Sequence, residues 1–218
     1  MQLINLENSF TLNSINSENE NELKMSSKPS YEELEQRIAQ LEQEKQLLKE
    51  QSIRDPLTGL YNRQFYKSNI ENILAQASNK KQDIGVLFID IDKFKYLNDN
   101  FGHAQGDKTL RELARIIESS TKSSDYAIRW GGEEIIVLLQ KANGGTGKAV
   151  TSRINAKIDK HNQYNKIEGK DKDNNPITYT LTISAGYARR NPESTEPMEH
   201  TIKLADDRMY EEKRRKQS

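Results

Sequence analysis

Apolar side chains recur at alternating steps of three and four along residues 30–52, where most other positions are Glu, Gln, Lys or Arg. This heptad spacing predicts a helix with a single apolar seam. Ser30 followed by Glu33 has the form of a capping box, so we expect the helix to begin there. The seam positions are Tyr31, Leu34, Ile38, Leu41, Lys45 and Leu48.

The seam requires a partner, because nothing else within residues 30–52 could bury it. A helix packed back on its own domain is one solution, since only about three heptads are present. We favour a parallel two-stranded coiled coil that joins two copies of the chain. Residues 1–29 are rich in Asn, Ser and Glu without sustained periodicity, and we predict that they form a disordered tail.

From about residue 53 onwards the pattern mixes strand and helix periodicities. Strands are predicted over 83–92, on both sides of a glycine pair within 126–140, and over 179–187. Helices are predicted over 93–100, 107–120, 148–162 and 198–213, and the polar stretch 166–176 is expected to be an exposed loop. The element order αβααββαβα predicts an α+β fold, an α/β sandwich in which helices flank a mostly antiparallel sheet.

Composition narrows the classes of function. The chain of 218 residues has no net charge, so no overall basic field favours nucleic acid as a partner. It has no cysteine, which excludes disulfides, thiolate metal sites and cysteine nucleophiles. No apolar run reaches the roughly 20 residues that span a bilayer, and residues 1–25 lack the basic start and apolar stretch of a secretory signal. We therefore expect a cytoplasmic protein without a membrane span.

Two acidic sites stand out. Asp90 and Asp92 end the first predicted strand on one side of it, and Glu133 and Glu134 follow the glycine pair. Each site alone is also compatible with a solvated turn. If the two strands are neighbours, the carboxylates converge into an all-oxygen site, which suits Mg²⁺ or Mn²⁺ better than zinc.

The segment between these sites has nucleotide-binding chemistry. Backbone amides that open a helix after Asp92 are suited to phosphate oxygens, and Lys95 is suited to neutralise a reacting phosphate. Asn98 and Asp107 together match the hydrogen-bond donors and acceptors of guanine. Other interpretations stay open: Asp107 is also a good helix N-cap, Asn98 a helix-end residue, and His103 a structural histidine.

Five segments in this order resemble the GGDEF family of diguanylate cyclases over about residues 53–217. The first is DPLTGLYNR at residues 55–63, and the second runs from Asp90 to Asp107. The third is RWGGEEI at residues 129–135, with the signature loop Gly131, Gly132, Glu133, Glu134 and Ile135. TISAG at residues 182–186 and the helix with Ala205, Asp206, Tyr210 and Lys213 complete the match.

The resemblance implies a catalytic domain over 53–218 that condenses two GTP molecules into cyclic di-GMP and two pyrophosphates at a homodimer interface. It implies that Asp90, Glu133 and the backbone carbonyl of Ile91 bind Mg²⁺, with Glu134 as a possible additional ligand. Glu133 would deprotonate the ribose 3′-hydroxyl and Lys95 would stabilise the transition state. The implied substrate-binding residues are Phe94, Asn98, His103, Asp107 and Lys213.

The sequence departs from the family pattern at a few positions. Ile135 replaces a common Phe, and we expect it to face the core. Gln217 stands where many members have arginine; a neighbouring arginine could take over that role, or the tail could simply be solvated. Lys122 and Asp125 occupy the position of an Arg-x-x-Asp product-inhibition site, and lysine lacks the planar fork that grips phosphate and guanine. We therefore predict weakened product inhibition.

Three other functions compete with this interpretation. The first is a catalytically inactive nucleotide-binding regulatory module on the same fold. The second is a cyclase with relaxed base choice, which Asp107 argues against, because a carboxylate does not pair with the acceptor N1 of adenine. The third is a purely structural coiled-coil protein, which leaves both acidic motifs unexplained. An unidentified regulator acting on the N-terminal helix is also compatible with the sequence.

Overall fold

A computed structural model describes residues 29–171 and 173–217. The tail predicted for residues 1–29 lies outside the described part except for Pro29. In chain order the elements are α1 Tyr31–Ser52, α2 Arg63–Asn79, β1 Ile84–Ile91, α3 Phe94–Phe101, α4 His103–Ser120, β2 Tyr126–Arg129, β3 Glu134–Gln140, α5 Thr146–Tyr164, β4 Ile167–Lys170, β5 Pro176–Tyr179, β6 Ile183–Arg190 and α6 Met198–Gln217. The chain divides into two compact units between residues 49 and 50.

Helix α1 begins with the predicted capping box. The backbone N–H of Ser30 donates to Glu33 Oε2 at 2.7 Å, and the N–H of Glu33 donates to Ser30 Oγ at 3.2 Å. The apolar seam is exposed, with Ile38 at 56% and Leu48 at 57% relative exposure. The coiled coil stays a prediction.

The second unit is built on a four-stranded sheet in the order β2-β3-β1-β6, with every neighbouring pair antiparallel. Strand β1 is central and buried along its whole length. Because side chains alternate along a strand, Leu87 and Ile89 enter one core with α4 and α5. Val86 and Phe88 enter a second core with α2 and α6. The predicted α+β sandwich is confirmed.

Three predicted boundaries are wrong. Residues 166–176 are not all loop, because β4 and β5 pair there as an antiparallel hairpin. The strand predicted over 179–187 is divided: Tyr179 ends β5, and β6 starts at Ile183. Helix α4 starts at His103, after Gly102 at φ 84°, so Asp107 lies inside the helix and is not its N-cap.

The remaining elements agree with the prediction or extend it. Strands β2 and β3 flank the glycine pair, and α6 continues to Gln217, beyond the predicted end at residue 213. The sequence pattern set no bounds for α2. In the described part of the chain, no helix is long and apolar enough to cross a membrane.

Candidate active site

The two acidic motifs meet where the neighbouring central strands β1 and β3 of the sheet end and begin. Strands β1 and β3 pair antiparallel, and their register places Asp90 directly opposite Glu134. Asp90 is only 6% exposed, and Glu134 is half-buried. The two strands are therefore neighbours, as the predicted convergence requires, and Asp90 meets Glu134 because β1 ends in acidic residues and β3 begins with one.

The glycine-rich turn before β3 is held in a defined shape. Arg129 Nη2 donates to the carbonyl of Gly132 at 2.9 Å, and Nη1 donates to both carboxylate oxygens of Asp55 at 3.0 and 3.1 Å. A Cβ at Gly131 would lie 2.5 Å from Glu134 Oε2. Glycine at this position thus lets the Glu134 carboxylate lie over the turn. Ile135 is fully buried, as expected.

Negative charge accumulates around Asp90 and Glu134. Burial raises the pKa of Asp90, and Asp92 and Asp206 raise it further against the opposing effect of Lys213. The pKa of Glu134 is raised by burial and then by Asp90, Asp206 and Glu133. We call the five carboxylates Asp90, Asp92, Glu133, Glu134 and Asp206 the acidic cluster.

Two lysines of α6 partly neutralise the acidic cluster. Lys213 Nζ lies 2.6 Å from Asp90 Oδ1, and Lys216 Nζ lies 3.3 Å from Asp92 Oδ2. The hydroxyl of buried Ser184 donates to Asp92 Oδ1 at 2.6 Å. Lys213, predicted to contact phosphate, is thus paired with a carboxylate in the free protein.

The acidic cluster has the chemistry of a site for a hard divalent cation, because its donors are carboxylate oxygens and neighbouring carboxylates raise the pKa of Asp90 and of Glu134. Within residues 29–171 and 173–217, however, no three acidic or histidine side chains are gathered closely enough to hold a metal ion. Asp90 is engaged by Lys213. A cation that binds Asp90 would therefore have to displace the lysine.

The predicted guanine-binding residues form a separate group on α3 and α4. Asn98 is half-buried against Gly106, where a Cβ would lie 2.0 Å from Asn98 Oδ1 and 3.2 Å from Phe94 Cζ. Gly106 thus allows the Asn98 amide to reach α4 one residue before Asp107. The side chains of Asp107, His103 and Lys95 are exposed.

The entry to α3 lies between the two groups. Its N-cap residue Lys93 has φ 55° and its side chain makes no capping hydrogen bond. A cleft of about 610 Å³ opens beside Asp92 and is lined by Lys93, Tyr96, Thr178, Tyr179, Thr180 and Thr182. Among the described residues, Lys95 is not one of the charged groups that shift the pKa of Asp90 or of Glu134.

The predicted product site is a closed turn in this structure. Asp125 Oδ2 accepts from the backbone N–H of Lys122 and Oδ1 accepts from that of Gln140, both at 2.9 Å. The Lys122 side chain is exposed. A cavity of about 360 Å³ adjoins this turn and also contacts Arg54 and Tyr61.

Sequence reasoning assigned no role to Asp206, Lys216 or Ser184. Asp206 and Lys213 are two helical turns apart and share a face of α6, so helical spacing alone could have linked them. Ser184 shows no such signal, because its contact with Asp92 depends on the pairing of β6 with β1.

Comparison with known proteins identifies relatives of this chain. Residues 52–218 match the family described as "Diguanylate cyclase, GGDEF domain". Diguanylate cyclase DosC of Escherichia coli is 34% identical over 161 residues, which cover 74% of this chain and 33% of that protein. The chain therefore spans about a third of the length of this curated relative.

Solved structures agree in fold. The coiled coil and GGDEF domain of DgcB from Caulobacter crescentus, in complex with c-di-GMP, superposes with a TM-score of 0.69 at 24% identity, covering 82% of this chain and 89% of that one. Diguanylate cyclase SiaD of Pseudomonas aeruginosa, in complex with its activator SiaC, superposes with a TM-score of 0.66 at 27% identity. That match covers 98% of this chain and 76% of the SiaD chain.

Proposed function

This chain belongs to the GGDEF-domain family of diguanylate cyclases, and we propose that it condenses two GTP molecules into cyclic di-GMP with release of two pyrophosphates. The observation that carries the proposal is the pairing of buried Asp90 with Glu134 inside a cluster of like charges. Such a cluster is costly to maintain unless a cation binds it.

The proposed metal site is formed by Asp90, Glu133 and the carbonyl of Ile91, with Glu134 beside them. When bound, Mg²⁺ or Mn²⁺ would supply charge neutralisation for the triphosphate and the developing alkoxide. Glu133 would accept the proton of the ribose 3′-hydroxyl, and Lys95 would stabilise charge on the α-phosphate. Each 3′-hydroxyl attacks the α-phosphate of the other GTP, and the bond to pyrophosphate breaks.

Guanine recognition is proposed for the group on α3 and α4. The Asn98 amide can both donate and accept, and the exposed Asp107 carboxylate can accept from the two adjacent guanine donors. Phe94 and His103 would border the base, and Lys213 would exchange its carboxylate partner for a phosphate. These assignments select GTP over ATP.

The reaction needs two half-sites, so we propose a homodimer joined through the exposed seam of α1. Tethering two domains raises the effective concentration at which their half-sites meet. The seam also offers a place where a regulator could act, and the related SiaD was solved with an activator bound. Product inhibition is proposed to be weak, because Asp125 is occupied by backbone amides and Lys122 is not an arginine.

A nucleotide-binding module without catalysis is the second candidate. The ion pair between Lys213 and Asp90 favours it, because a permanent pair would keep a metal out. A cyclase requires this pair to be exchangeable.

The deciding experiment incubates the full chain with GTP and Mg²⁺, then with GTP and ATP together, and identifies products by chromatography. Asp90→Asn should lower the rate about 10³-fold. Asp207→Asn is the matched control, because Asp207 is an exposed acid that follows Asp206 on α6. The cyclase is supported if wild type and Asp207→Asn both form cyclic di-GMP and Asp90→Asn does not. Nucleotide binding without product supports the binding module.

The dimer is tested by analytical sedimentation of two variants that each replace an exposed aliphatic residue of α1 by Asp. Ile38→Asp changes a seam position that is 56% exposed, and Leu47→Asp changes an off-seam position that is 58% exposed. Ile38→Asp should dissociate the dimer and Leu47→Asp should not. Equal behaviour of the two variants would contradict the proposed seam.

A further inference from the structure

The ammonium group of Lys216 contacts oxygen atoms of three other residues. It pairs with Asp92 Oδ2 at 3.3 Å and Glu212 Oε1 at 3.2 Å, and it donates to the carbonyl of Ile183. These acceptors come from the residue after β1, from α6 itself and from the start of β6. A lysine held by oxygen atoms of two strand ends and of its own helix is an anchor between these elements.

Glu212 extends the same network to the sheet edge. Its Oε2 accepts from the backbone N–H of Ala185 at 3.2 Å, and its Oε1 forms an ion pair with Lys216 at 3.2 Å. Strand β6 is at the edge of the sheet, so this carboxylate covers an amide that no neighbouring strand reaches. Glu212 and Lys216 therefore act together on one end of α6.

Lys213 differs from Lys216 in its surroundings. Among the described residues, its one ion pair is the short contact with Asp90, which leaves further donors for another ligand. The two lysines are three residues apart on one face of α6. The position of Lys213 thus depends on how firmly the following turn is fixed.

We propose that Lys216 and Glu212 form a clasp that fixes the end of α6 to β1 and β6, neutralises Asp92 and presents Lys213 for exchange from Asp90 to the nucleotide triphosphate. Lys216 is in this view a positioning residue, and Lys213 is the group that contacts phosphate. The inference rests on the proposed function for the nucleotide, while the clasp itself belongs to the free protein.

The test compares Lys216→Met, Glu212→Gln and the double variant with wild type. The matched control is Lys203→Met, because Lys203 forms an exposed pair with Asp207 at 3.0 Å on the same helix. The first measurement is amide hydrogen exchange, followed by mass spectrometry, over the last turns of α6 in the free protein. The second is calorimetric binding of a GTP analogue with a non-transferable α-phosphate, in the presence of Mg²⁺.

Exchange at the end of α6 should accelerate about tenfold in Lys216→Met and Glu212→Gln and stay unchanged in Lys203→Met. Affinity for the analogue should fall about tenfold in both single variants. The double variant should be no worse than Lys216→Met within about twofold, because the two residues act through one clasp. In turnover assays, KM for GTP should rise by the same factor by which affinity for the analogue falls, while kcat changes less.

Unchanged exchange in Lys216→Met overturns the clasp whatever the nucleotide result. Accelerated exchange with wild-type affinity for the analogue overturns the link to the triphosphate. If wild type itself binds no analogue, the proposed function fails and the nucleotide part of the inference fails with it, while the exchange data still decide whether the clasp exists. Additive losses in the double variant would show that the two residues act separately.

Discussion

Strand β3 has a carboxylate next to each of its ends, and the two differ in what surrounds them. At its start, Glu134 faces Asp90, with Glu133 and Asp206 close enough to raise its pKa. At its end, the Asp125 carboxylate receives two backbone N–H groups at 2.9 Å, one of them from Gln140 of β3. One carboxylate is crowded by like charge, and the other is satisfied by donors.

The difference separates a structural acid from an acid suited to bind a ligand. A carboxylate that accepts backbone N–H bonds stabilises a turn and needs nothing further. A carboxylate among carboxylates is destabilising until a cation arrives, and such perturbed groups concentrate at functional sites. Both sites contain acids next to turns in the sequence, so residue type alone does not distinguish them.

The largest expected effect comes from removing the crowded acid. Glu134→Ala should lower the rate of cyclic di-GMP formation about 10²-fold, because it removes charge that helps to hold the metal. Its thermal stability without metal should not fall, since the variant relieves repulsion. The rate is measured at saturating GTP over a range of Mg²⁺ concentrations. If Glu134→Ala had the kcat of wild type even at low Mg²⁺, a role for Glu134 at the metal would be contradicted.

The opposite result is expected at the other end of β3. Asp125→Ala removes both acceptors of the Lys122 and Gln140 amides, which should lower the free energy of unfolding by about 2 kcal/mol. Activity per folded molecule should be kept. Urea denaturation gives the stability and a parallel assay gives the rate. A variant with wild-type stability would show that these two hydrogen bonds contribute little.

The sequence was sufficient to predict that Asp90 and Glu134 lie on neighbouring strands, because strong local signals bounded both strands. The apolar run before Asp90 and the glycine pair before Glu133 set the ends of β1 and β3, and antiparallel pairing then brings the acids together. The alternative that Asp107 caps a helix is wrong. Helix α4 starts at His103, directly after Gly102 at φ 84°, which is about one turn before Asp107.

Other features depend on tertiary contacts that no local pattern encodes. The polar, glycine-containing composition of residues 166–176 predicts a loop, and the strands β4 and β5 found there are short and largely exposed, so they lack an apolar face. No role is predicted for Lys216 from the sequence, yet it contacts Asp92 and the Ile183 carbonyl. That contact exists only because α6 packs along β6 and β1. The seam of α1 was read from spacing, and its occupant stays a prediction.

A smaller effect follows from the pKa of Glu134. Burial and its acidic neighbours raise this pKa in the folded state above the ordinary value of 4.5. The ionised group therefore destabilises the fold at neutral pH, and stability recovers as pH falls through the raised pKa. Glu134→Gln should increase Tm by about 2–4 °C at pH 7. The advantage over wild type should shrink towards pH 5, as followed by circular dichroism without metal. A pH-independent difference would instead point to packing.

The smallest effect is expected at Lys122, where the comparison of the two ends of β3 predicts almost none. Its backbone N–H holds Asp125, while its side chain is exposed and lacks the planar fork of arginine. Lys122→Ala keeps the backbone bond, so stability and the response to added cyclic di-GMP should both match wild type within about twofold. The measurement is product titration of the initial rate at fixed GTP. Potent noncompetitive inhibition that disappears in Lys122→Ala would mean that the turn binds product despite its occupied carboxylate.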